Sequence, residues 1–277
     1  MILSVGVADL VAALRRHELW RVLALYQLKR GNARTKFGIA WHGLSFFILV
    51  GLMGFMYATF MHRPLDLYVP FLAAGQLGWR FISPMITEGL TVITGGRGLL
   101  TQRPFPISFL PLKLACYHLY LSGLHAIAFI AILAIYRIIV VPNPLLLAIG
   151  LVIVTVAGVG TALLLGIASV FHRWLQNLIP SLMNLAFFLT PIIWMPNMLV
   201  GGDANHLSVD LTHGFTGRST FVLLNPFYYF LEVVRGPLLG YQVPLIFWFV
   251  ASSIAAALMV CGLLILSRTK PRIILNL

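Results

Sequence analysis

Long apolar runs broken by short polar stretches dominate the chain. Runs of about 20 residues are what a hydrocarbon core of about 30 Å requires. On that basis the pattern predicts membrane spans near 37–61, 67–94, 107–139, 145–171, 178–200 and 244–267. The third run is longer than a bilayer needs, so its start, "RPFPISFLPLKLACYH", predicts an interfacial piece before the span proper. The first 30 residues also have helical periodicity, with Leu10, Val11, Leu14, Val22 and Leu25 on about one half of the wheel and Glu18 and Arg21 interrupting it. This predicts a helix lying along the membrane surface, with Trp20 and Tyr26 at headgroup depth. One apolar stretch fits neither pattern. "LLNPFYYFLEVVRGPLLG" (223–240) has a proline near each end and carries Glu232 and Arg235. Between Pro226 and Pro237 there is room for about ten helical residues, about half a bilayer at about 1.5 Å per residue, which is too short to cross.

Composition supports the membrane reading. Of 277 residues, 60% are hydrophobic and 9% charged, where soluble domains carry about 25% charged residues. Cys116 and Cys261 both fall in apolar runs, as expected of packed or lipid-facing thiols. The opening "MILSVGVADLVAALRR" places its arginines after the apolar residues, the reverse of a secretory signal, so the N-terminus is expected to be retained. A net charge of +12 raises the question of nucleic acid, and the location of the basic residues answers against it. Arg15, Arg16, Arg21, Lys29, Arg30, Arg34, Lys36, Arg97, Arg103, Lys113, Arg173, Arg268, Lys270 and Arg272 fall on one side of the six-span map. Arg63, Arg137, Arg218 and Arg235 fall on the other, and Arg80 lies within a span. Fourteen against four predicts cytoplasmic termini by the positive-inside rule, with the basic residues facing anionic lipid and cytosolic partners. The expected architecture is an all-α integral membrane protein of six transmembrane helices, with a cytoplasmic interfacial segment at 1–36 and a transmembrane domain at 37–277. A polar outer loop occupies 201–220.

Catalytic motifs are missing. No G-x-x-x-x-G-K-[ST] occurs, and "TGGRGLL" lacks the lysine and hydroxyl that hold phosphate and magnesium, so this chain is not expected to hydrolyse ATP. There is no G-x-S-x-G elbow, and the seven carboxylates are scattered. The eight histidines include no H-E-x-x-H. His118 and His125 share a helix face, but no carboxylate lies near them in sequence, so no metal site is expected. Arg80 and Glu88 are intramembrane charges and functional candidates by default, yet they lie eight residues apart with Pro84 between them and are not expected to pair. The loop "TGGRGLLTQRPFP" (94–106) places Leu99 and Leu100 between Arg97 and Arg103 on the cytoplasmic side, a pattern suited to docking in a partner's groove.

Three stretches together resemble a family. "RGNARTKFGIAW" (30–41) looks like the entry motif of permease subunits in ABC exporters of polysaccharides and polyol phosphates. "EGLTVITGGRGLLTQRPFPISFLPL" is similar to their connection between the second and third spans, and "NPFYYFLEVVRGPLLG" to their signature before the last span. The closest likeness is to exporters of O-antigen and related lipid-linked polysaccharides. His42 and Gly43, and the long glycine-rich outer loop, depart from the pattern.

The resemblance implies a bacterial cytoplasmic-membrane permease that works as a homodimer with two separate cytosolic ATPase subunits. Those subunits would bind ATP and Mg2+, with no cofactor in this chain, and the substrate would be an undecaprenyl-linked polysaccharide. It implies that 223–240 is re-entrant and forms a gate containing Asn225, Pro226, Glu232 and Arg235, whose two charges can pair or present polar groups to sugar. It implies ATPase coupling through Arg97, Leu99, Leu100 and Arg103 together with Arg34 and Lys36. It also implies a path lined by aromatic rings on which sugars stack, with Trp41, Phe46, Phe47, Phe55, Tyr57, Phe187, Phe188 and Trp194 as candidates. Two other classes remain open: an ion-coupled carrier using Arg80 and Glu88, and an integral-membrane lipid-modifying enzyme.

The basic asymmetry yields a topology test. In a cysteine-free background, a cysteine at Asn205 should react with an impermeant reagent from outside, and one at Asn276 only after permeabilisation. The reverse pattern would overturn the orientation.

Overall fold

The computed structural model describes residues 2–32, 37–102, 105–196 and 217–276, which are almost entirely helical and include no strand. Two helices, α1 (Ile2–Leu14) and α2 (His17–Asn32), precede α3 (Ala40–Phe60) and α4 (Leu65–Thr87). A 3-10 turn, Gly89–Thr91, leads into the short α5 (Val92–Gly95) and α6 (Arg97–Gln102). Then follow α7 (Phe109–Ile135), α8 (Pro144–Phe171), α9 (Leu175–Leu189), α10 (Gly217–Leu223), α11 (Pro226–Leu239) and α12 (Leu245–Asn276).

Among the described residues four helices are long and apolar enough to cross a membrane: Ala40–Phe60, Phe109–Ile135, Pro144–Phe171 and Leu245–Ile273. The other two expected spans differ for physical reasons. Helix α4 is long enough at 23 residues but carries Gln76 and Arg80. It is buried on every face from Tyr68 to Trp79, as befits a helix surrounded by others, and it packs against α3, α7, α8 and α11. Helix α9 has 15 residues, about 22 Å, too short for a span. Beyond it, residues 190–196 leave the helical path and run through the interior, where all but Trp194 are buried. Of the stretch at 103–118, the residues from Phe109 onward, Pro111 and Lys113 included, belong to one continuous helix that runs to Ile135.

Lipid tails are as apolar as leucine, so helices in a membrane are held by close packing rather than by expulsion from water. Helix α8 is built for that. Its buried positions include Gly150, Ala157, Gly158, Gly160, Ala162 and Gly166, and its most extensive packing is against α12. A Cβ on Gly160 would lie 2.6 Å from the backbone nitrogen of Met259, and one on Gly262 would lie 2.9 Å from the Gly160 carbonyl oxygen. The two backbones touch where both side chains are absent.

The N-terminal helices leave most of the apolar arc read from the sequence uncovered by the rest of the chain. Val11, Leu14, Val22 and Leu25 are exposed, and the packed positions are Gly6, Asp9, Ala13, Ala24 and Leu28. The chain also turns at Arg15 and Arg16 rather than continuing as one helix. The docked face of α1 is therefore small and polar, and the apolar half-wheel is left for the surroundings. Asp9 is 3% exposed and accepts from the backbone N–H groups of Ser108 (2.8 Å) and Ile107 (3.2 Å), donors at the start of α7 that a helix leaves unpaired. Lys270 of α12 reaches the same carboxylate at 2.7 Å.

The α8–α12 contact gives a stability prediction. Gly160→Ala forces backbone against backbone and should destabilise the folded chain by about 1–3 kcal/mol. Gly123→Ala, where nothing lies within 4 Å, should carry no cost. Thermal midpoints from fluorescence-detected size exclusion in detergent would show it; equal losses for both variants would refute the close-contact reading.

Candidate functional site

The stretch at 223–240 folds as α11, whose range takes in both prolines instead of ending between them. Pro226 occupies the first turn, where its missing N–H and fixed φ are no handicap. Asn225 caps that end, accepting from the Phe227 N–H at 3.0 Å while its amide donates to Thr190 Oγ1 at 2.9 Å. Pro237 sits four residues after Val233 and so cannot donate to the Val233 carbonyl. Gly150 of α8 is seated against that carbonyl, where a Cβ would lie 2.1 Å from the oxygen. Helix α11 ends on Gly240 at φ +80°, a left-handed cap that glycine adopts freely.

Glu232 and Arg235 are 1% and 0% exposed. Arg235 Nη2 donates to Glu232 Oε1, Nη1 donates to the Pro191 carbonyl at 2.8 Å, and the guanidinium lies 4.1 Å above the Phe71 ring of α4. Tyr241 donates to the other carboxylate oxygen at 2.6 Å. Burial, followed by the negative charge of Glu232, raises the Tyr241 phenol well above its usual range, so it remains a donor. Each charge is thus partnered by the other and by neutral groups from the chain itself. The two charges pair, as their spacing allows, and both are buried within this chain. Tyr68 of α4 donates to the Ile193 carbonyl, so Pro191 and Ile193 in the non-helical segment each have a donor. Irregular backbone is tolerated at membrane depth only when it is enclosed by protein in this way.

The coupling residues divide. Arg97 is exposed at the start of α6, but Leu100 is 6% exposed and belongs to the chain's own buried core, the cluster that also holds Ile107, Phe109 and Leu110, with half-buried Leu99 beside it. The expectation that Leu100 docks in a partner is corrected by that burial. Arg34, Lys36 and Arg103 lie outside the described residues, as does most of the outer loop. The segment from Gly89 to Gly95 lies against α8: a Cβ on Gly89 would be 3.0 Å from Ala162, and Ser169 donates to the Leu90 carbonyl. Arg16 lies over the Phe105 ring at 4.7 Å.

The aromatic candidates do not gather into one lining within this chain. Phe46 is fully buried, Phe47 and Tyr57 are half-buried at core edges, and Trp41, Phe55 and Phe188 are exposed. Phe187 packs on Trp79, and Trp194 donates to the Phe188 carbonyl at 2.9 Å. A cavity of about 420 Å³ lies between α4, α8, α9, α11 and α12, lined by Met85, Val154, Met183, Phe227 and Phe230 among others. Glu88 and Arg80 do not pair. Glu88 lies 3.2 Å from His118, a partner that is distant in sequence.

This arrangement defines an all-helical, multi-pass membrane protein with a short buried helix held by an enclosed ion pair. No family profile matches the chain. It is similar to two O-antigen export system permease proteins RfbA of Klebsiella pneumoniae, 22% and 23% identical over 190 residues, which are 66% of this chain and 71% of each relative. The resemblance read from the motifs is borne out by these two proteins.

The buried pair sets an order of mutational effects. Glu232→Ala strands Arg235, and Arg235→Ala strands Glu232 while also freeing the Pro191 carbonyl, so each should cost about 3–5 kcal/mol. Tyr241→Phe removes one hydrogen bond to a charged acceptor and should cost about 1.5–3 kcal/mol. The exchanged pair, Glu232→Arg with Arg235→Glu, should not restore stability, because it sets a carboxylate against the Pro191 carbonyl. Thermal midpoints near wild type for both single alanine variants would show that the pair does not hold α11.

Proposed function

We propose that this chain is the transmembrane permease half of an ABC exporter that moves a lipid-linked polysaccharide out across the bacterial cytoplasmic membrane. The similarity to O-antigen export permeases along two thirds of the chain carries the reading. Two copies form the path, α11 is a re-entrant gate near its outer end, and separate ATPase subunits bind ATP and Mg2+. The cargo is an undecaprenyl-linked O-antigen or similar glycan. Six membrane passages with cytoplasmic termini follow if α4, and α9 together with the buried segment after it, complete the set begun by the four long apolar helices.

The arrangement suggests how force could reach the gate. The segment 89–102 places Arg97 at the surface and its apolar residues against α8 and the start of α7. Helix α8 in turn supports α11 through the Gly150–Val233 contact. A push on α6 by an ATPase would therefore be passed through α8 to the helix that holds Glu232 and Arg235. Packed helices transmit displacement because such interfaces are not continuously deformable.

Complementation of a permease-null strain tests the reading, with surface polysaccharide measured at matched protein levels. Export should be restored, and in inverted vesicles transport should require ATP and survive a proton ionophore when ATP is held constant. Arg97→Glu, at an exposed position, should weaken co-purification of the ATPase and reduce export in protein whose thermal midpoint shows it folded. Transport driven by an ion gradient without ATP would assign the chain to secondary carriers instead.

A further inference from the structure

A second polar cluster stands apart from the α11 site. His125 of α7 is 4% exposed, and both of its ring nitrogens lack hydrogen-bond partners. Its ring stacks on Phe46 at 5.2 Å between centroids, and the guanidinium of Arg80, from α4, lies 5.6 Å from the centre of the same Phe46 ring. His42 lies in the first turn of α3, one turn before Phe46, and the neighbouring Gly43 sits against the carbonyl of Leu124, the residue before His125 in α7. Arg80 and His125 thus meet on one aromatic ring from two helices, and His42 lies one turn before that ring on a third. Among the described residues no carboxylate lies within ion-pair distance of Arg80, and the next acid along the chain, Glu88, is beside His118. A cation within a membrane is costly without a counter-charge. Arg80 is half-buried, so its side chain remains accessible.

The depth of the cluster narrows the ligand. Phe37 and Trp41 are exposed and stacked on each other at 6.1 Å, immediately before His42. Aromatic residues of this kind mark the level of lipid headgroups. The exposed Lys29 and Arg30 near the end of α2 precede them in the chain. An anion resident at this level is the phosphate of a lipid, which a planar guanidinium engages through two parallel hydrogen bonds and an imidazole through one.

We propose that Arg80, His42 and His125, gathered around the buried Phe46 ring, form a binding site for a lipid phosphate. Two sources share that chemistry: the headgroup of an anionic phospholipid, and the diphosphate that joins a prenyl lipid to its cargo. The site is read from this cluster alone, and binding is measured without transport, so its failure and the failure of the export reading are separable.

The test uses the purified full-length chain in neutral detergent, titrated with dioctanoyl phosphatidic acid, farnesyl diphosphate, dioctanoyl phosphatidylcholine or farnesol while the thermal midpoint is followed. At least one of the two anionic phosphates should raise the midpoint, and neither phosphatidylcholine nor farnesol should. Arg80→Gln should weaken the apparent affinity about tenfold, Arg80→Lys less, and His42→Gln measurably. A rise with phosphatidic acid alone assigns the site to headgroups, a rise with farnesyl diphosphate alone assigns it to the prenyl linkage, and a rise with both supports the shared phosphate chemistry. No rise with either, or a rise undiminished in both Arg80→Gln and His42→Gln, overturns the proposal. Should Arg80→Gln fail to accumulate, His42→Gln decides by itself.

Discussion

The guanidinium of Arg235 is the constraint around which this protein is organised. A fully buried charge survives in a medium of low dielectric only if its surroundings are built to receive it. Here those surroundings come from four places in the chain: Glu232 on the same helix, the Pro191 carbonyl after α9, the Phe71 ring of α4, and, through the carboxylate, Tyr241 before α12. Satisfying one side chain thereby determines how α11, the central helix and two connecting segments sit together. Breaking such a pair is costly because it strands a buried charge, whereas the intact pair adds little raw stability. A well-packed apolar replacement could hold the same helices, but it would not define one register so narrowly.

Around that centre the membrane-crossing helices meet through absence of side chains. Gly160 and Gly262 let α8 and α12 touch backbone to backbone, and Gly150 meets the carbonyl that Pro237 leaves without its helical donor. Dispersion at such contacts stands in for the hydrophobic force that a lipid solvent does not supply. Helix α8 therefore links three regions: the turn after α4, the short helix α11 and the last helix.

At the opposite end, Asp9 has the corresponding task. One carboxylate joins α1 to the first donors of α7 and to Lys270 of α12, so the N-terminal helix, the end of the 89–108 segment and the C-terminal helix move as neighbours. The exposed apolar positions of α1 and α2 are then left to lie against lipid.

Much of this was legible in the chain. Run lengths of apolar residues located the helices because a bilayer imposes one length scale on every crossing, and the three-residue spacing of Glu232 and Arg235 fixed their common face because helical geometry is local. Asn225 and Pro226 at the head of α11 follow from the same local rules. Tertiary structure alone decided what depends on partners distant in sequence. No periodicity announces that the Pro191 carbonyl will receive Arg235, that Asp9 will reach residue 108, or that Glu88 will meet His118. Leu100 has the composition of a docking residue, and only the tertiary fold shows it turned inward, into the chain's own core. Residues 190–196 of the fifth expected span are apolar enough to read as helix, yet they run as largely buried irregular backbone, in which Arg235 and Tyr68 donate to the Pro191 and Ile193 carbonyls. Local sequence determines which conformations a segment can adopt, whereas the donors and acceptors delivered by distant helices determine which of them can be buried.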